Sequence, residues 1–297
     1  MGKNYKTIGF VGYGELGQCI TAGLSAAGAD VGVFDLFVEA PETVKSLQDK
    51  ADQAGIILAK TRAELAERSD IFISAVTCSD AVTAARQMAP YLSEKHIYVD
   101  LNSTSPAVKK DVCAVIEGAG AKFVEIGVLG GIPTMGYKVS LLLCGDEAET
   151  VAACLSGFGM DTECIIGKTG AAAAVKMFRS IVVKGIEALF LECVLAAEPY
   201  GATERVLETI EQNYPGVGKD LANFFMTRTA NHAERRSHEM EEVAETLRAM
   251  GLDPIMAEAS AKRLGEAAKL NLKEKFKDKN PEDFKELYAA IIEAQNK

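Results

Sequence analysis

Through the first 165 residues, short apolar runs alternate with segments whose apolar positions recur every three or four residues. "TIGFV", "DVGVFD", "DIFISAV", "HIYVDL", "KFVEIGV" and "VSLLLCG" are rich in Val, Ile and Phe and read as strands. Their apolar positions are nearly continuous, the pattern of strands covered on both faces. Between them, "ELGQCITAGLSAAG" and "SDAVTAARQMAPYL" carry helical periodicity. This alternation predicts an α/β domain, with a parallel sheet flanked by helices.

From about residue 168 the pattern changes. Residues 171–201 form one apolar stretch with no breaker except Gly185 until Pro199 and Gly201. They predict a buried helix of about 30 residues, roughly 45 Å long. "TERVLETIEQN", "RRSHEMEEVAETLRAMG" and "PIMAEASAKRLGEAAKL" continue as helices. Near the end Asn280 reads as a cap, with Pro281 at the first helical position and Glu282 and Asp283 in the first turn. The organisation expected is an α/β domain over 1–165 and an all-α domain over 166–297, joined by the long interdomain helix. One small domain does not cover so apolar a helix, which predicts a homodimer.

Composition narrows the possible partners. Of the 297 residues, 32 are Lys or Arg and 42 are Asp or Glu, a net charge of -10, which argues against nucleic acid or anionic membrane as a partner. Lys184, Glu187 and Glu192 interrupt the most apolar stretch, so no membrane span is expected. Seven cysteines without a C-x-x-C pair and only three histidines predict reduced thiols, no metal site and a cytoplasmic chain.

The candidate chemistry begins at "GYGELG", where Gly12, Gly14 and Gly17 are spaced G-x-G-x-x-G between the first strand and a helix. In this context the loop reads as a dinucleotide site of Rossmann type, with Gly12, Tyr13, Gly14, Glu15 and Leu16 around the pyrophosphate. Asp35 closes the second strand 18 residues past Gly17, near the spacing for a carboxylate on the adenosine ribose. No Lys or Arg follows it directly, which favours NAD over NADP as cofactor. Ala75, Val76 and Thr77, at the end of a later strand, are expected to line the same cleft.

Five stretches resemble the β-hydroxyacid dehydrogenase family, relatives of 6-phosphogluconate dehydrogenase. "IGFVGYGELGQCI" is similar to the family's opening fingerprint. "DLNSTSP" resembles its D-x-S-T-x-x-P segment, with Asn102 and Ser103 where Ser and Thr are common. "GVLGG" resembles P-V-S-G-G, with Gly127 for Pro and Leu129 for Ser. "GKTGAAAAVK" falls on G-x-x-G-x-G-x-x-x-K at Gly167, Gly170, Ala172 and Lys176. His238 to Gly251 keeps the spacing of a later family helix, with His238 in place of Lys.

The resemblance implies an NAD(P)-dependent enzyme that moves a hydride between nicotinamide and a small β-hydroxyacid-like substrate, with Lys176 as general acid/base. It places Asn102 at cofactor and substrate, and Ser103, Gly130 and Gly131 at a substrate carboxylate. Arg179 and Ser180 stand where family members carry Asn. At about 100° per residue, Ser180, Lys184 and Glu187 share the helix face of Lys176, and Arg179 flanks it. Arg179, Ser180, Lys184 and His238 are therefore candidates for holding a small anionic substrate. The departures at 129 and 179 leave open a reductase of an imine or of a bulkier, phosphorylated keto acid. A catalytically inactive dinucleotide-binding regulator is the alternative from another class.

Overall fold

The structure, a computed structural model, describes residues 7–131 and 135–295. The chain divides into two compact units, Met1–Lys176 and Met177–Lys297. That division falls inside the long helix, past the 165/166 boundary expected from the sequence.

Among the described residues the first unit has eight strands, β1 (Thr7–Val11), β2 (Asp30–Phe34), β3 (Ile57–Leu58), β4 (Ile71–Ser74), β5 (Ile97–Asp100), β6 (Lys122–Val128), β7 (Leu141–Cys144) and β8 (Thr162–Cys164). Their order in the sheet is β3-β2-β1-β4-β5-β6-β7-β8. The six expected strands are present. β3, with two residues, and β8, largely exposed, are not among them. Every pairing is parallel except β6 with β7, which is antiparallel, so the sheet is mixed rather than wholly parallel. Alternate residues feed opposite faces. Ile71, Ile73, Ile97 and Val99 enter one hydrophobic cluster, and Phe72 and Tyr98 enter the other.

Register positions the site. Val11 is paired with Phe34 and with Ser74, and Ser74 with Asp100, so four parallel strands end level. The segments that follow them, from Gly12, Asp35, Ala75 and Leu101, therefore emerge along one edge of the sheet, where α/β folds bind ligands.

The long helix spans Ala171–Ala197, and Thr203–Asn213, Lys219–Ala249, Ile255–Ala268, Leu272–Phe276 and Phe284–Gln295 follow it. In the second unit Phe190, Leu191, Val194, Met226, Leu264, Phe284 and Leu287 form the main core. The last helix begins later than expected. Asp283 accepts from the amides of Lys285 and Glu286 at 2.9 and 3.0 Å and caps it, while Asn280 accepts from Asn231 Nδ2 instead. The long helix is not buried all round either: Val182 and Leu189, seven residues apart, are 62% and 61% exposed. Among the described residues no helix is long and apolar enough to cross a membrane.

Candidate functional site

The glycine loop has the geometry its spacing predicts. Gly12 sits at φ +98°, and a Cβ there would lie 2.5 Å from the Ala75 carbonyl oxygen. A Cβ on Gly17 would lie 2.6 Å from the Gly12 carbonyl, so only glycine lets this helix approach β1 so closely. Gly14 faces open space and caps Glu15–Ala26 without a side-chain hydrogen bond. The first-turn amides of Glu15 and Leu16 thus lie at a helix N-terminus open to an anion. The residues present fit a dinucleotide pyrophosphate.

Two of the expected cofactor ligands are already engaged. Tyr13 is buried in the core, and its amide donates to Asp35 Oδ2 at 2.7 Å. Its part is to join the loop to β2 rather than to offer a side chain. Asp35 Oδ1 accepts from the Phe37 amide at 3.0 Å, which fixes the carboxylate just past the end of β2.

Asn102 is committed in the same way. Its Oδ1 accepts from the Val76 amide (2.8 Å), and its Nδ2 donates to Ser74 Oγ (3.0 Å) and Asp100 Oδ1 (2.5 Å). A side-chain amide offers two donors and an oxygen with two lone pairs; both donors and one lone pair are used here. Asn102 therefore ties the segment after β4, with Ala75, Val76 and Thr77, to the segment after β5. Ser105 caps the helix Pro106–Gly118, accepting from the Val108 amide.

Ser103 is exposed, and its Oγ accepts from Lys176 Nζ at 2.5 Å, which brings together residues 73 apart in sequence. The Cys78 thiol donates to the Ser103 carbonyl at 3.1 Å. Gly130 and Gly131 are both exposed beyond β6. Leu129 packs with Ala171, Ala172 and Cys144 instead of taking the polar role of the serine it replaces.

Three charges, Lys109, Asp100 and Glu125, are buried in the same unit. Lys109 Nζ lies 3.1 Å from Asp100 Oδ2 and donates to the carbonyls of Asp100 (2.8 Å) and Asn102 (2.7 Å). Glu125, within β6, accepts from the amides of Gly170 (2.7 Å) and Ala172 (3.2 Å) through Oε1, and from Ala173 (3.5 Å) through Oε2. Burial pushes the Glu125 carboxyl above its ordinary pKa, while the Ala172 and Gly170 amides, Lys109 and the Ala173 amide pull it back. The only sequence signal for Glu125 is one acid inside an apolar strand. The spacing of Lys109 carries none.

In the second unit Lys184 Nζ pairs with Glu239 Oε2 (2.9 Å) and donates to Ser180 Oγ (2.9 Å). Glu187 is buried, accepts from Thr229 Oγ1 (2.7 Å) and pairs with Arg236 (2.5 Å). Lys184 is thus paired with a carboxylate of its own unit. Arg179 and His238 are exposed.

Comparison with known proteins agrees with this geometry. Residues 7–169 match the family described as the NAD binding domain of 6-phosphogluconate dehydrogenase, and residues 197–266 match a domain of unknown function (DUF1932). A crystal structure of a conserved hypothetical protein from Sinorhizobium meliloti superposes with a TM-score of 0.88 at 30% identity, over 98% of this chain and 97% of that one. An uncharacterized 28.5 kDa protein of Methanothermus fervidus is 30% identical over 84% of this chain and 94% of its own. Mitochondrial 3-hydroxyisobutyrate dehydrogenase of Drosophila melanogaster is 31% identical over 57% of this chain and 52% of its own length. A pyrophosphate-ready glycine loop, the Lys176–Ser103 pair and these matches lead to one conclusion: the chain belongs to the 6-phosphogluconate dehydrogenase-like β-hydroxyacid dehydrogenase family.

Proposed function

We propose that the chain is an NAD-preferring oxidoreductase acting on a small anionic β-hydroxyacid, with Lys176 as general acid/base. The observation that carries this reading is the hydrogen bond from Lys176 Nζ to Ser103 Oγ at the ligand edge of the sheet. Nicotinamide, when bound, supplies the hydride acceptor or donor. In the oxidation direction, neutral Lys176 takes the hydroxyl proton of the substrate, and in reduction the ammonium returns it. The Ser103 hydroxyl orients Nζ and provides a further hydrogen bond to the substrate oxygen. The amides of Gly130 and Gly131 are proposed to hold the carboxylate through uncharged donors.

The preference for NAD is supported by Asp35. Its carboxylate stands where a ribose 2′-hydroxyl donates in this fold, and a 2′-phosphate there would meet like charge. The same reading includes a homodimer, supported by exposed Val182 and Leu189 on one face of the long helix. The test is turnover of a panel of 3-hydroxyacids, with NAD and NADP supplied separately. Turnover of at least one supports the proposal. Tight dinucleotide binding with turnover of none favours the inactive regulator.

A further inference from the structure

The buried Glu125 stands out because a carboxylate in the middle of a sheet strand is costly unless its surroundings match the charged form. Its hydrogen-bond partners are all donors and Lys109 is a cation, while the Cys144 and Cys113 thiols, both pushed up chiefly by burial and further by the Glu125 charge, remain neutral beside it. Three main-chain amides at the start of the long helix point at its two oxygens. Lys109 is the nearby positive charge. An acceptor-only, ionised carboxylate suits this set, whereas a protonated one would face a donor with a donor.

The helix so held is the one that carries Lys176. Residues 170, 172 and 173 lie within its first turn or just before it, and Lys176 follows in the second turn. Close packing adds to the clamp. A Cβ on Gly127 of β6 would lie 2.8 Å from the Ala172 carbonyl, and one on Gly170 would lie 3.0 Å from Pro106. Lys109 binds Asp100 and the Asn102 carbonyl, and so holds the segment that presents Ser103. The two partners of the Lys176–Ser103 bond are therefore each anchored, one through Glu125 and the other through Lys109.

We propose that Glu125 is a positioning residue for Lys176: it fixes the first turn of the Lys176 helix and sets the charge felt by the amine. A helix N-terminus carries about half a positive charge, which favours the neutral amine. The Glu125 carboxylate opposes that field and favours the ammonium, as Lys109, on the helix Pro106–Gly118, opposes Glu125. Asp100 of β5 is neutralised by Lys109 at 3.1 Å. The proposal rests on Lys176 being the acid/base of the preceding section, but its test does not need turnover.

The experiment is competitive acetylation of the full-length protein with trace acetic anhydride across pH 6 to 11, read at Lys176 by peptide mass spectrometry, with NAD affinity as the check on folding. Glu125→Gln is expected to lower the pH midpoint of Lys176 labelling by about half to one unit, because a negative charge that favoured the ammonium is gone. Glu125→Asp keeps the charge but stops one methylene short of the amides. Its midpoint is expected to stay within about 0.3 unit of wild type. Its amides over 170–176 are expected to exchange at least about tenfold faster. A folded Gln variant with the wild-type midpoint overturns the proposal. Should the Gln variant not fold, the Asp variant decides, and unchanged exchange over 170–176 overturns the clamp. If Lys176 proves not to be the acid/base, turnover survives its removal while these labelling results stand.

Discussion

The Tyr13 amide donates to Asp35 Oδ2 at 2.7 Å, so the glycine loop and the end of β2 share one carboxylate. One oxygen of Asp35 braces the loop and the other holds the Phe37 amide, yet a carboxylate has about four lone-pair sites, which leaves capacity for a ribose hydroxyl. Asp35→Ala is expected to weaken NAD at least about tenfold, roughly 1.4 kcal/mol, and to leave NADP unchanged or tighter. Isothermal titration with each dinucleotide checks this. Tighter NADP than NAD binding in the wild-type protein would contradict the ribose role.

Gly12 and Gly14 separate backbone need from ligand need. Gly12→Ala combines a positive φ with a Cβ 2.5 Å from a carbonyl oxygen, and should cost about 1–3 kcal/mol and lower Tm by several degrees. Gly14→Ala enters open space, so its Tm should hold while dinucleotide affinity falls. Melting curves with and without NAD distinguish the two. An equal loss of Tm at both positions would contradict the distinction.

Much of this was legible in the sequence because it depends on local rules. Strands buried on both faces give continuous apolar runs, and glycines at a tight turn have few substitutes, so β1, the loop and Asp35 announce themselves. The antiparallel β7 was not legible, since an apolar run such as "LLLC" carries no direction. Nor did periodicity show that Asn102 faces inward to Val76, Ser74 and Asp100, or that Lys109 and Glu125 are buried, because those partners are set by tertiary packing. Ser180 and Lys184 lie one turn apart, as helical spacing requires, and hydrogen bond to each other. The partner that neutralises Lys184, Glu239, comes from a helix about fifty residues on, beyond any local pattern.

That pair predicts a pH dependence. Burial pushes the Glu239 carboxyl up, but Lys184, with Arg235 and Arg236, pulls it further down, to below its ordinary 4.5. A depressed carboxylate contributes stability above its unfolded pKa and loses it as pH falls through the folded one. Glu239→Gln should therefore cost about 1–2 kcal/mol at pH 7, discounted for partial exposure, and progressively less below pH about 4.5. Chemical denaturation of both proteins at pH 7 and pH 4 measures it. A difference that stays constant over that range would contradict the ion pair.

Val182 and Leu189 give the homodimer a specific test. Val182→Glu with Leu189→Glu should shift the wild-type dimer to monomer in light scattering at micromolar concentration, without loss of helical circular dichroism. A wild-type monomer, or a dimer untouched by both charges, would contradict that interface.

The central claim is the role of Lys176, and the most direct measurement compares Lys176→Met with wild type for turnover of the best 3-hydroxyacid and for NAD dissociation constant. Loss of the acid/base should lower kcat by at least about 100-fold, with NAD affinity kept within about twofold. Turnover within a few-fold of wild type, or a loss accounted for by weakened NAD binding, would contradict it.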